Sequence, residues 1–161
     1  MVVHSWAMFG RRRTKSPQSA GPSIEPLNEN EIHWRNSSLD AAAIFAERYA
    51  GSRDKPPSLM DLDQCVRAWL ADDEARPDIN AFVNAVGVAF GAHVARDAGL
   101  TWVIATDEHG SDLALHGEHG NVVIYPANAV AKRISTGTTD FLVELHRSMV
   151  SGVEERRTQE P

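Results

Sequence analysis

The chain has 161 residues, 42% of them hydrophobic and 24% charged, a net charge of −6 and one cysteine. That length can bury a self-supporting core without metal or disulfide staples, and a lone cysteine excludes an intrachain disulfide, which points to a reducing, cytoplasmic setting. No apolar run approaches the roughly 18 residues of a membrane span, and the arginines near the start follow the apolar residues instead of preceding a long apolar segment, which excludes an export signal.

Charge is unevenly placed along the chain. Residues 1–26 hold Arg11, Arg12, Arg13 and Lys15 against Glu25, a net of +3, leaving −9 on the other 135. An acidic body lacks the basic face of a nucleic-acid-binding domain, and the basic tail alone offers phosphate only weak, salt-sensitive attraction. Residues 1–36 are rich in Pro, Ser, Gly, Gln and charge and read as a disordered basic tail. Within it, "MFGRRR" resembles a translation start, so Met1 and Met8 both stand as initiators.

A single domain is expected over 37–155, with 156–161 as a disordered C-terminus. Ser37 or Ser38 can cap a first helix that ends at Gly51. Ser58 and Asp61 form a capping box for a second helix, with Leu59, Leu62, Val66, Trp69 and Leu70 on one face. Asp78 and Gly99 bracket the third helix, whose stripe is Ile79, Phe82, Val83, Val86, Phe90 and Val94. Gly87 and Gly91 lie one turn apart beside that stripe. Glycine inside a helix costs roughly 1 kcal/mol relative to alanine, so this pair marks a close approach by another backbone.

Next come "LTWVIATDEHG", "SDLALHGEHG" and "NVVIYP", which read as a three-stranded antiparallel meander ended by Pro126. A short helix follows, with Asn128 as its cap, and then an amphipathic helix with Phe141, Leu142, Leu145, Met149 and Val153 on its apolar face. The class is α+β: N-terminal helices, the meander, and C-terminal helices packed on one face.

Glu108-His109-Gly110 returns as Glu118-His119-Gly120. Successive turns of a meander lie at opposite ends of the sheet, on the order of 25 Å apart, so His109 and His119 cannot share a metal. At the far end, His116 and His119 could meet His93 and Asp97, which are four apart on one helix face; this is a possible zinc set without an anchoring motif. At the near end, Asp107, Glu108 and His109 are brought towards Asn128, Lys132 and Arg133. The plain reading there is a solvated turn with one ion pair. The functional reading is a ligand site in which Arg133 grips a carboxylate or phosphate.

Other signals are bland. No phosphate-cradling glycine loop, G-x-S-x-G or paired-cysteine motif occurs, and no cofactor is implied. Cys65 reads as a buried thiol, Trp102 as core and His146 as a packed or surface histidine. Asp72-Asp73-Glu74 reads as a solvated helix end.

The stretch from Leu59 to Val150 resembles a bacterial domain-of-unknown-function family frequent in actinobacteria. The resemblance is carried by Trp69, Gly87, Gly91, Trp102, Asp107, Gly110, Pro126, Lys132 and Arg133. It implies a small α+β fold and assigns no activity or catalytic residue. The second "GEHG" turn lies outside its pattern.

The leading functional expectation is a non-enzymatic binding or regulatory module whose partner is a protein. One alternative is a small hydrolase or anion-ligand enzyme using the near-end carboxylates with Lys132 or Arg133. Another is an immunity-type protein whose negative charge steers it onto a basic toxin.

Overall fold

A computed structural model describes residues 21–160. It contains five helices and a four-stranded antiparallel sheet. Three strands form the expected meander: β2 (Thr101–Asp107), β3 (Gly110–Gly117) and β4 (Val122–Ile124). The fourth precedes them in sequence. β1 (Ser23–Pro26) pairs with β2, with Ser23 opposite Thr106 and Pro26 opposite Val103. It is too short and too rich in turn-forming neighbours for its own pattern to show; its partner strand defines it.

The tail expected over residues 1–36 holds ordered structure from β1 onward. Its first twenty residues lie outside the described ones, while residues 21–36 belong to β1 and to the start of α1 (Glu29–Ala50). Asn28 Oδ1 accepts from the Glu31 amide at 2.9 Å, and Glu31 Oε2 accepts from the Asn28 amide at 2.8 Å. This capping box opens the helix about two and a half turns before Ser37. Ser38 is an interior residue whose hydroxyl donates to the Trp34 carbonyl. Leu27 and Trp34 anchor this added stretch, beside Leu39, against Val88, Ile104, Leu113 and Ala127.

The next two helices start and stop where their caps place them. α2 (Leu59–Ala71) has the Ser58–Asp61 capping box. α3 (Ile79–Ala98) is capped by Asp78 and closed by Gly99 in the left-handed region. Trp69 stacks on Phe82 with centroids 4.7 Å apart, and Phe45 meets the same ring edge-on at 5.4 Å. The Trp69 indole satisfies its N–H on the Pro77 carbonyl at 3.0 Å.

α4 (Pro126–Ser135) corrects the expected cap. Pro126 occupies the first turn and Tyr125 the cap position, with no side-chain capping bond; Asn128 lies inside the helix. Proline suits the first turn because its missing N–H would have no helical acceptor there. The α3 glycines explain how α4 comes so close. A Cβ on Gly87 would sit 2.7 Å from the Ala127 Cα, and one on Gly91 would sit 2.8 Å from Pro126 Cγ and against the Trp102 ring. The close approach expected of the glycine pair is thus made by α4 and by β2.

α5 (Leu142–Gln159) runs through most of the segment expected to be a disordered C-terminus. Arg157 donates to the Gly99 carbonyl at 3.3 Å. At the other end of α5, the buried Asp63 of α2 accepts from the Phe141 and Leu142 amides at 3.1 and 3.0 Å. A carboxylate distant in sequence supplies the cap that the local residues lack.

The sheet has two different faces. Side chains alternate along a strand. Ile104 and Leu113 pack with Val88 of α3 and Ala127 of α4. The outer face carries Val103, Ala105 and Ala114, with Ile24, Val123 and Tyr125 around them.

Candidate functional site

The near-end turn closes β2 onto β3, with Asp107 opposite Gly110. Asp107 Oδ1 accepts from the His109 amide at 2.7 Å, which fixes the turn. Glu108 and His109 project into solvent with side chains 84% and 83% exposed, 3.3 Å apart. A pair that exposed is screened and adds little stability.

A residue the sequence reading passed over completes this end. Asp112 lies directly across from Ala105. It therefore shares the outer face with Asp107, Val103 and Ala114. Burial pushes the Asp112 carboxyl above its ordinary range; a hydrogen bond from Asn128 opposes this, and the neighbouring Asp107 charge adds to it. The Tyr125 hydroxyl is also raised, first by burial and then by Asp107 and Asp112. The partly desolvated Asp112 and Tyr125 thus form one acidic patch with the exposed Asp107, joined to α4 through Asn128. Its signal was an aspartate in register with the apolar alternation of "SDLALHG".

Lys132 and Arg133 face elsewhere. Arg133 donates to the Ala129 carbonyl at 3.0 Å and its guanidinium lies over the Phe141 ring at 5.9 Å. Together with Tyr125, Asn128 and Met149 they line an open groove of about 610 Å³ between α4 and α5. Among the described residues, no ion pair joins Lys132 or Arg133 to Asp107 or Glu108. The expected cluster is therefore two adjacent features sharing Tyr125 and Asn128.

The far end does not assemble the four expected ligands. His93 Nε2 lies 2.7 Å from the Pro57 carbonyl, which can only accept, so that nitrogen carries the proton; Nδ1 faces the Arg96 guanidinium at 3.4 Å. Asp97 takes bonds from Arg96 at 2.8 Å and from His146 at 2.8 Å. The Arg96 bond holds the Asp97 carboxyl down at about 2, with burial opposing and His146 assisting. His116 and His119 line a separate hollow with Arg157. A guanidinium there repels a metal cation. Among the described residues, no three His, Cys, Asp or Glu side chains are grouped to hold a metal.

Remaining sequence candidates resolve simply. Cys65 is buried and desolvation pushes its thiol up to about 12, which leaves it protonated and inert. Trp102 is partly buried and packs against the core beside Gly91. No described helix is long and apolar enough to cross a membrane.

Residues 61–144 match the family described as Domain of unknown function (DUF3806). The chain belongs to that family. The DUF3806 segment includes Asp107, Asp112, Tyr125, Asn128, Lys132 and Arg133, and leaves out β1, α1 and Arg157. The resemblance noted in the sequence is thus met in kind, by a family of unknown function. None of the curated proteins matches the chain. A crystal structure from Bacteroides thetaiotaomicron superposes with a TM-score of 0.64 at 13% identity, covering 86% of this chain and 51% of that one. The two share a fold, and this chain spans about half the other's length.

Proposed function

We propose that this domain is a binding or regulatory module acting through protein–protein contacts. Its contact surface is the outer sheet face, and its partner is a peptide segment with an apolar run beside basic residues. The observation that carries this reading is the continuity of Asp107 and Asp112 with the half-buried apolar side chains of Ile24, Val123 and Tyr125, which surround the buried Val103, Ala105 and Ala114 on one face. A partly desolvated carboxylate at Asp112, next to the exposed Asp107 and apolar side chains, favours a cationic side chain that brings its own apolar neighbour. A basic toxin of the kind neutralised by an immunity protein falls within this partner class. Calorimetric titration of the full chain with matched peptides tests it, one set apolar and arginine-rich, the other apolar and glutamate-rich. Binding of the basic set alone, weakened at least tenfold by Asp107→Lys with Asp112→Asn and by added salt, is the expected result. Equal binding of both sets, or of neither, rejects it.

A second reading rests on the groove holding Lys132 and Arg133. Two cations beside Tyr125 suit a small carboxylate or phosphate ligand. Inorganic phosphate titrated against the native chain and Lys132→Ala distinguishes this from the first reading. A millimolar site lost in the variant supports it, and the absence of a site removes it.

A further inference from the structure

The outer sheet face has a floor and walls. Val103, Ala105 and Ala114 are 6%, 2% and 0% exposed, whereas Ile24, Val123 and Tyr125 beside them are half-buried. Val103 pairs with Ala114, and Ala105 lies between Ile24 and Asp112. Ala105 and Ala114 therefore lie low in the middle of the sheet while Ile24, Val123 and Tyr125 stand at its sides, which makes a shallow trough whose accessible apolar surface is that of these three side chains. Among the described residues, no helix contributes to this cluster. The near end of the trough is acidic, with Asp107 and Asp112 on the face and Glu108 on the turn.

We propose that residues 1–20 of this same chain dock on this face, their apolar run along the trough and their basic residues against Asp107, Glu108 and Asp112. The proposal rests on the peptide-binding reading above and names its first ligand as the chain itself. The point of entry supports it. Ser23 pairs with Thr106, the neighbour of Asp107, so the described chain begins at the acidic end of the sheet.

Reach and composition agree. Lys15 is six residues before Gly21 and Arg11 ten; at about 3.5 Å per extended residue, both can fold back onto the acidic turn. "MVVHSWAMF", the run before the arginines, holds no Asp, Glu, Lys or Arg. Its extended length of about 30 Å compares with about 23 Å for β2. The segment and the patch are opposite in sign, and a tethered ligand meets its site at millimolar effective concentration. An outside partner must then displace the chain's own segment, which makes the surface regulated.

Zero-length carbodiimide cross-linking of the monomeric full chain tests the docking, because Lys15 supplies an amine and the patch supplies carboxylates. The expected products join Lys15 to Asp107, Glu108 or Asp112 within one chain, and fall at least fivefold in R11E/R12E/R13E. A peptide of residues 1–20 added in trans should bind that triple variant at least tenfold more tightly than the native chain. Equal affinity for both proteins would overturn the docking while leaving the peptide-binding reading intact. Cross-links that form only between isotopically labelled and unlabelled copies would assign the segment to a second copy and also overturn it. Lys15 coupled as readily to Glu154 or Glu155 as to the patch would overturn it as well.

Discussion

A methyl group at Gly91 would meet Pro126 at 2.8 Å and the Trp102 ring, whereas one at Gly152 would meet nothing within 4 Å. Both glycines are helical, so the same substitution separates packing from propensity. Gly91→Ala is expected to destabilise the fold by about 1–3 kcal/mol through overpacking, and Gly152→Ala to stabilise it by up to about 1 kcal/mol, both read from urea denaturation. Asp97 gives a pH signature. Its carboxyl titrates at about 2 in the fold, held down first by Arg96. A carboxyl depressed on folding stabilises above its unfolded value and loses that contribution as pH falls through the folded one. The stability difference between the native chain and Asp97→Asn should therefore be present at pH 6 and shrink between about pH 4 and pH 2. Cys65, with its thiol pushed up to about 12 by burial, should resist a disulfide reagent at pH 8 in the native chain and react with one equivalent in urea.

At the scale of elements, ends decide what could be read from sequence. α2 and α3 were legible because Ser58, Asp61, Asp78 and Gly99 mark their boundaries by local chemistry. The start of α1 was missed although Asn28 and Glu31 make an equally good box, because polar residues around it resemble the tail before it. α5 has no local cap, and Asp63 supplies one from α2. No local pattern carries that information. Asp63→Ala should cost about 1–2 kcal/mol and raise hydrogen exchange at the Phe141 and Leu142 amides ahead of the rest of α5. Asp63→Asn keeps an acceptor and should recover part of the loss. The same division applies to the candidate site. Asp107, Glu108 and His109 were legible as a turn, while Asp112 was hidden in a strand until the register placed it beside Asp107. Lys132 and Arg133 were placed near the turn by connectivity, but the pitch of α4 points them towards α5.

Across the whole molecule, one cluster of buried residues draws on all five helices and on β3 and β4. Trp69 belongs to it, and Trp102 and Trp34 pack against the adjoining cluster of α3, α4 and the sheet. Packing shared this widely predicts a single cooperative transition. Thermal melts followed by far-ultraviolet and near-ultraviolet circular dichroism should superpose; separated midpoints would show that α1 or the sheet unfolds alone. The sheet edges carry a consequence for how anything can attach. β1 has four residues and ends in Pro26, which has no N–H to give, and β4 has three. Edges so short offer few open backbone groups. A visiting chain cannot extend these edges by a strand of useful length, so recognition must be written in side chains, and among the described residues the sheet carries little template for stacking into fibrils.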